Sequence, residues 1–319
     1  MHTIHLTEQT QLTASHVATI GFFDGVHVGH RYLIGQLKAE ARRRGLRTMV
    51  ITFGRHPRSV VHDGWQPQLL TSAADRERLL WSEGIDQLVV LPFDERMAAL
   101  TARQFMTHVL ARQLGVCCLL MGYDNHFGHR QTVTAADGST HRECFDDYQA
   151  YGRDIGIEMV LAQRLSEGDE TVSSSHIRRL LTDGDVASAA RCLGRPYEVS
   201  GTVVHGEHIG SGMGFPTANI SPKEPQQLIP REGVYGTRVV TADGNRHVGM
   251  TNIGRRPTFD GHKLTIETNI IDFDSDIYSQ QLTLQFICRL RDERQFPSAE
   301  ALRSQMATDA VAVRQLISL

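Results

Sequence analysis

The spacing of apolar residues changes near residue 185, and this change constrains the fold more than any other feature of the chain. Before it, short apolar runs alternate with segments whose apolar residues recur every three to four positions. The runs are 17–21, 48–53, 88–92, 116–121 and 157–162, and the helical segments are 28–44, 73–84 and 101–114. This alternation predicts an α/β domain, with a parallel sheet covered by helices on its faces.

Beyond residue 195 the pattern is that of antiparallel strands. Asp243-Gly244 separates two β-rich runs, 234–241 and 247–253, which predicts a tight hairpin. In residues 263–271 every second side chain is apolar, and Glu267 lies among the polar ones. An apolar stripe from Leu302 to Ile317 predicts a closing helix. These patterns therefore predict that the second region is a small β-barrel or sandwich with a C-terminal helix. We predict two domains, 1–185 and 186–319.

Composition fits a globular chain that acts on small molecules. The 319 residues are 40% hydrophobic and carry a net charge of −3, which excludes a disordered chain and disfavours nucleic-acid binding. The five cysteines form no C-x-x-C pair, so neither a disulfide framework nor a structural zinc site is predicted. No apolar run approaches the ~18 residues of a membrane span. We therefore expect a cytoplasmic protein with no membrane partner.

Lysine is rare in this chain. Lys38, Lys223 and Lys263 are its only lysines, and none of them follows a glycine. A Walker-type loop needs a Gly-Lys pair to hold nucleotide phosphates, so this chain has none. Any phosphate chemistry must use other groups.

The first candidate site directly follows the first predicted strand, in the string G-F-F-D-G-V-H-V-G-H of residues 21–30. His27 and His30 are three residues apart at the start of a predicted helix, so they share one face. A helix N-terminus favours bound phosphate, and Gly29 lets a phosphate approach closely. The imidazoles can then donate hydrogen bonds to charge that develops at phosphorus.

This string resembles the signature of the nucleotidyltransferase superfamily. Further strings follow in order: T-F-x-x-H-P (52–57), L-T-S (70–72), L-P-F (91–93), G-Y-D (122–124), and S-S-S-H-I-R (173–178). Together they resemble the N-terminal module of the bacterial bifunctional riboflavin kinase/FAD synthetase family. The resemblance implies a Rossmann-like nucleotidyltransferase domain in which His27 and His30 are catalytic. It implies ATP and phosphate contacts from Gly21, Phe23, Asp24, Gly29, Asp124, Ser174, Ser175 and Arg178, and flavin contacts from Phe53, His56 and Pro57.

The second candidate site begins with the string G-S-G-M-G-F-P-T-A-N of residues 210–219. Gly210, Gly212 and Gly214 make a backbone that can fold over phosphates. Thr217 and Asn219 offer hard oxygen ligands of the kind that Mg²⁺ prefers.

The intact G-F-P-T-A-N string resembles the riboflavin kinase module of the same family, a small antiparallel β-barrel. By this resemblance Thr217 also binds ATP, and Glu267 is the general base toward the ribityl hydroxyl of riboflavin. Arg291 and Phe296 are flavin-binding candidates on the same ground.

The resemblance implies a bifunctional enzyme with riboflavin, FMN, FAD and ATP as its small-molecule partners and Mg²⁺ as cofactor. Some positions depart from the family pattern: Gly54-Arg55, Asn125, Ser211, Asn269 and Ser279. They put substrate affinity in question more than chemistry. Two alternatives stay open: a nucleotidyltransferase for another phosphate acceptor, and a flavin sensor or store with an inactive site. Protein partners are not predicted.

Overall fold

A computed structural model of the chain describes residues 2–56, 68–122, 132–134, 139–165, 172–205, 217–258 and 261–317. The chain forms two compact units. The first comprises residues 1–67 and 73–171, and the second comprises residues 68–72 and 172–319. The division between functional domains at residues 185 and 186 stays a prediction, since compactness and function need not divide a chain at the same residue.

The first unit is built on a six-stranded parallel sheet in the order β1-β4-β3-β2-β5-β8. Its strands are β1 (Ile4–His5), β2 (His16–Ile20), β3 (Arg47–Phe53), β4 (Gln87–Leu91), β5 (Val116–Met121) and β8 (Glu158–Leu161). Every residue of β2 is buried, as a central parallel strand requires. The α/β prediction is confirmed, and the carboxyl ends of β2, β3 and β4 meet at one edge, where open α/β sheets bind ligands.

The three predicted helical segments of this unit are helical, and residues Glu95–Ala98 and Phe145–Ile155 form two further helices that were not predicted. The helices are α1 (Val28–Arg44), α2 (Ala73–Ser82), α3 (Glu95–Ala98), α4 (Ala102–Phe105) and α5 (Phe145–Ile155). The segment predicted as helical over 101–114 is helical from Ala102 to Gln113, but its hydrogen bonding changes along its length. A capped turn at Thr101 starts α4, and residues Met106–Gln113 continue as a π-helix. The amide of Leu114 donates to the carbonyl of Val109, five residues earlier, which apolar spacing does not reveal.

The second unit is a closed barrel of six antiparallel strands in the order β10-β13-β12-β11-β14-β9. The strands are β9 (Tyr197–Val204), β10 (Thr217–Pro222), β11 (Gly233–Val240), β12 (Arg246–Thr258), β13 (Gly261–Ile270) and β14 (Gln281–Arg291). Three helices accompany it: α6 (Ser174–Asp183), α7 (Val186–Leu193) and α8 (Ala299–Leu316). The predicted hairpin at Asp243-Gly244 and the closing helix are confirmed, and the barrel is the correct choice over a sandwich.

Alternation along β13 explains how the barrel encloses its core. Ile266, Thr268 and Ile270 are buried, and the Thr268 hydroxyl lies 2.9 Å from that of Thr251. The Thr251 hydroxyl also lies 2.8 Å from that of Thr237, so the three buried hydroxyls form a continuous hydrogen-bonded row. Glu267 lies on the opposite face of the strand, as its place in the sequence pattern predicts.

Two short strands, β6 (Thr132–Thr134) and β7 (Thr140–Arg142), form a separate antiparallel pair before α5. Within the described part of the chain, no helix combines the length and the apolar character needed to cross a bilayer.

Candidate active sites

The loop between β2 and α1 is held in an unusual backbone conformation. Phe23, Gly25 and Val26 have φ angles of 55°, 82° and 40°, and a left-handed φ is rare for a phenylalanine or a valine. The amide of Val26 donates to the carbonyl of Phe23 at 3.1 Å, and Phe23, Asp24 and Val26 are all buried. A Cβ added at Gly21 would lie 3.2 Å from the Phe23 ring, so the loop is closely packed as well as tightly turned. Such strain clusters at functional sites.

His27 and His30 come together where this loop enters α1. Their rings stack with centroids 3.6 Å apart and an interplanar angle of 19°. His27 is the N-cap of the helix, and its Nδ1 accepts the backbone N–H of His30 at 3.3 Å. Phe23 packs edge-on against His30, with ring centroids 5.2 Å apart. The structure therefore brings the two predicted catalytic histidines into direct contact.

The charge state of this pair follows from its packing. Burial, together with the neighbouring His27, holds the pKa of His30 well below its ordinary value of 6.5. His30 is therefore neutral at pH 7. Because Nδ1 of His27 accepts the backbone N–H of His30, Nε2 is the ring nitrogen of His27 that can donate a hydrogen bond. Nε2 of His27 and the neutral His30 ring can therefore both donate N–H groups to an anion at the helix N-terminus.

The first turn of α1 is suited to an anion. It contains Gly29 and no acidic residue. The free backbone N–H groups and the positive end of the helix dipole therefore meet no competing carboxylate within that turn. This agrees with the phosphate role predicted for Gly29.

An aromatic cluster with a buried arginine adjoins the loop. His56 packs on Phe22 with ring centroids 4.5 Å apart. The guanidinium carbon of Arg76 lies 4.3 Å from the centre of the same Phe22 ring. Arg76 is only 2% exposed and donates from Nη2 to the carbonyl of Phe53 at 2.7 Å. Two predicted flavin residues, Phe53 and His56, are thus linked through Arg76 and Phe22.

Sequence reasoning missed Phe22, Arg76 and Phe93 as parts of this region. The ring of Phe93 meets that of Phe53 edge-on, 5.4 Å between centroids. Phe93 belongs to the L-P-F string, which was a usable signal. Arg76 gave none, because an arginine within a helical segment is ordinarily exposed.

A cavity of about 890 Å³ opens at the carboxyl ends of β3 and β4. Its lining includes Gly54 and Arg55 after β3, and Pro92 and Phe93 after β4. This size is within the range of sites for small organic ligands. Arg55, one of the departures from the family pattern, therefore contributes a positive charge to the wall of the cavity.

Ser174, Ser175 and Arg178 begin α6, which belongs to the second compact unit. Ser173 is the N-cap, and its hydroxyl accepts the amide of His176 at 3.2 Å. Arg178 donates from Nε to the carbonyl of Gln68 at 2.7 Å. Ser174, Ser175 and Arg178 therefore lie at the start of a capped helix, while their action on the same phosphates as His27 and His30 stays a prediction.

The barrel assembles its polar residues by strand register. Glu267 on β13 is paired with Asn219 on β10 and with Asn252 on β12. Thr217 lies two residues before Asn219, opposite Asn269. Residues directly opposite in antiparallel strands share a face, so all five side chains belong to one polar face of the barrel wall.

A second carboxylate reaches this polar face from the end of β14. Asn252 donates from Nδ2 to Oε1 of Glu293 at 3.1 Å. A Cβ added at Gly254 would collide with the Glu293 carboxylate, so the glycine makes room for it. Sequence reasoning missed Glu293, because nothing in its surroundings marks it as different from other tail residues.

Arg291 and Phe296, which are both predicted to bind flavin, are neighbours in the tail. The guanidinium carbon of Arg291 lies 5.7 Å from the Phe296 ring centre. Arg291 also donates from Nε and Nη2 to Oδ2 of buried Asp309, at 2.9 and 2.7 Å. This ion pair holds the guanidinium in place beside the ring, so a ligand would meet a fixed surface.

Some predicted site residues lie outside the described part of the chain. They are Pro57, Asp124, Gly210, Gly212 and Gly214. Their roles stay predictions.

Comparison with known proteins decides between the readings that the sequence left open. The FAD synthetase family model matches residues 9–176, and the riboflavin kinase family model matches residues 193–317. The bifunctional riboflavin kinase/FMN adenylyltransferase of Escherichia coli K12 is 35% identical over 303 residues, covering 95% of this chain and 93% of its own. The chain belongs to this bifunctional family.

Other relatives agree. The Bacillus subtilis member is 33% identical over 317 residues, covering 97% of this chain and 96% of its own. A crystal structure from Streptococcus pneumoniae, described as a macrolide-efflux protein, matches with a TM-score of 0.86 at 29% identity, over 98% of both chains. The chain is thus an enzyme with an FAD synthetase domain followed by a riboflavin kinase domain, and the bifunctional prediction is confirmed.

Proposed function

We propose that the two reactions of this family use separate groups of residues in this chain. The C-terminal domain transfers the γ-phosphoryl group of ATP to the ribityl hydroxyl of riboflavin, which gives FMN and ADP. The N-terminal domain transfers AMP from a second ATP to the FMN phosphate, which gives FAD and pyrophosphate. The single observation that carries this proposal is the register that pairs Glu267 with Asn219 on the barrel of the second unit, whereas the histidine loop belongs to the first unit.

Glu267 is the proposed general base of the kinase reaction. A primary alcohol is a weak nucleophile until a carboxylate accepts its proton, and Glu267 is the strand carboxylate on the polar face. The residues paired with it on the neighbouring strands, Asn219 and Asn252, are uncharged. Neither of these two side chains therefore forms an ion pair with the Glu267 carboxylate.

Thr217 and Asn219 are the proposed holders of Mg²⁺-ATP. The fit rests on donor chemistry, because the polar face offers hydroxyl, amide and carboxylate oxygens from Thr217, Asn219 and Glu267. When bound there, Mg²⁺ would neutralise charge on the ATP phosphates. The glycine-rich string with Gly210, Gly212 and Gly214 is proposed to cover those phosphates with backbone N–H groups.

The adenylyl transfer needs no protein base, because the FMN phosphate is already anionic near neutral pH. An FMN phosphate oxygen attacks the α-phosphorus of ATP, and the bond from that phosphorus to the pyrophosphate oxygen breaks. His27 and His30 stabilise the charge on the transferred group from the start of α1. The remaining phosphates are proposed to meet Gly21, Phe23, Asp24, Gly29, Asp124, Ser174, Ser175 and Arg178.

The flavin ring is proposed to bind against aromatic and cationic surfaces in both domains. In the N-terminal domain these are Phe53, His56 and Pro57, beside the cavity that Phe93 lines. In the C-terminal domain they are Arg291 and Phe296. We also propose that the enzyme acts in the cytoplasm on small molecules alone, in keeping with its net charge of −3.

One incubation tests the whole proposal. The purified chain is mixed with riboflavin, ATP and Mg²⁺, and flavins are separated by chromatography. FAD as product supports both activities. FMN alone would mean an inactive N-terminal site, and bound but unchanged riboflavin would mean a flavin-binding protein without kinase activity.

A further inference from the structure

Three potential metal ligands meet where the β6–β7 pair leads into α5. His141 lies on β7, Cys144 is the N-cap of α5, and Asp147 is in the first turn of that helix. One ligand atom from each lies within 4.8 Å of the other two. Neither reaction described above uses any of the three residues.

The local backbone explains why these side chains converge. Cys144 and Asp147 are three residues apart at the helix start, so they lie on the same side. Oδ2 of Asp147 accepts the backbone N–H of Cys144 at 2.9 Å, which fixes the carboxylate over the first turn. Nε2 of His141 lies 2.9 Å from the same oxygen. The strand and the helix thus present an imidazole, a thiol and a carboxylate at one point.

The spacing suits a small tetrahedral ion. Zinc bonds of about 2.0–2.3 Å place neighbouring ligand atoms roughly 3.3–3.8 Å apart. The cluster spans 2.9 to 4.8 Å, so small side-chain rotations bring all three atoms to bonding distance. Cys144 is exposed and the His141 side chain is 39% exposed, so an ion can enter from solvent.

We propose that His141, Cys144 and Asp147 form a binding site for a divalent transition metal of the zinc type, with a fourth position open to water. A nitrogen, a sulfur and an oxygen donor together favour zinc or cobalt over Mg²⁺, which prefers oxygen alone. On binding, the thiol releases its proton to solvent and its sulfur bonds to the metal. The ion links β7 to the start of α5.

Glu143 is not part of this ligand set. It lies between His141 and Cys144 in the chain but is only 4% exposed, and its Oε1 accepts the hydroxyl of Tyr151 at 3.0 Å. This contact anchors the turn to the middle of α5.

Cobalt is the direct probe, because a thiolate bound to Co²⁺ gives a charge-transfer absorption band. The full chain is treated with a chelator, freed of nucleotide and Mg²⁺, and titrated with Co²⁺ alone. We expect a thiolate–cobalt band that saturates at one equivalent and disappears when Zn²⁺ is added. Absence of such a band in the folded protein overturns the proposal.

Matched variants test the ligand assignment. Cys144→Ser should abolish the band, and His141→Ala should weaken Zn²⁺ binding more than about 100-fold, because loss of an outer-sphere partner alone costs roughly 10–100-fold. Asp147→Asn keeps an acceptor for the Cys144 amide while removing the charge, so it should weaken binding in a helix that still forms. The control Cys192→Ser removes a thiol of α7 and should keep the band. A band that survives in Cys144→Ser, or unchanged affinity in His141→Ala, contradicts the proposal.

Discussion

The two candidate active sites are built in opposite ways. The histidine site depends on an irregular loop, in which Phe23 and Val26 adopt left-handed φ angles and His27 and His30 stack. The kinase site depends on regular antiparallel register, in which Asn219, Glu267 and Asn252 are paired across three strands. Side-chain packing therefore holds the histidine loop in its strained backbone conformation, whereas hydrogen bonds between strands hold the kinase site. Their responses to substitution and pH should differ accordingly.

The largest effect is expected at Glu267. Glu267→Gln keeps the size of the side chain and its place on β13 but removes the proton acceptor. Loss of a general base typically costs ~10²–10⁴-fold in rate, and FMN formation from riboflavin should fall by that factor. FAD formation from supplied FMN should be unchanged. Initial rates of both reactions measure this, and an equal loss of FAD synthesis would show that the sites are not separate.

A smaller but still large effect is expected at His30. His30→Ala removes a hydrogen-bond donor at the start of α1, and loss of one such donor costs about 10²–10³-fold. FAD formation from FMN should fall by that factor, with FMN formation from riboflavin retained. Circular dichroism serves as the folding control, because the His30 ring also packs against Phe23. A folded variant that keeps full FAD synthesis would remove His30 from the site.

The buried histidine should also make stability depend on pH. The pKa of His30 is well below 6.5 in the folded chain because of burial and of His27, while the unfolded chain protonates near 6.5. Below pH 6.5 the unfolded state therefore binds a proton that the folded state does not. The free energy of unfolding of the first unit should fall by up to ~1.4 kcal/mol per pH unit until the folded-state pKa is reached.

Denaturant unfolding from pH 7.5 to 5.5 measures this dependence. His30→Ala lacks the group and should show a shallower slope over the same range. Equal slopes in the two proteins would contradict the assignment of His30 as a neutral buried imidazole.

The smallest effect is expected in the loop before β14. Ser279 has a φ of 62°, at one of the positions that depart from the family pattern by replacing glycine. A left-handed conformation costs most residues roughly 1–2 kcal/mol and glycine almost nothing. Ser279→Gly should therefore raise the stability of the barrel by up to about 1 kcal/mol, offset by the greater flexibility of the unfolded chain. Chemical denaturation checks it, and a destabilised variant would contradict the account.

The regular parts of the molecule could be predicted from the sequence, and the irregular parts could not. Apolar spacing located α1 and five of the six strands of the parallel sheet, although it missed the two-residue β1, and alternation along β13 placed Glu267 on the polar face. The π-helix at Met106–Gln113 was missed, because its apolar residues have the spacing of an ordinary helix. Arg76 was missed for a different reason: its burial under Phe22 depends on residues far away in the chain.

Motifs located site residues better than they located contacts. The G-x-x-D-x-x-H-x-G-H pattern singled out His27 and His30, but their stacking and the resulting low pKa of His30 depend on the folded loop. The three ligands His141, Cys144 and Asp147 fall outside every motif. Cysteine spacing alone disfavoured a zinc site, because it carries no information about a histidine on a neighbouring strand or a carboxylate on a helix.

The central claim is that the two reactions belong to two independent sites, and a mixing experiment tests it most directly. Glu267→Gln and His30→Ala proteins are incubated with riboflavin, ATP and Mg²⁺, first separately and then together, and FAD is measured by chromatography. The account predicts little FAD from either variant alone and abundant FAD from the mixture, because FMN made by His30→Ala is adenylylated by Glu267→Gln. A mixture of folded variants that makes no more FAD than the two proteins separately would contradict it.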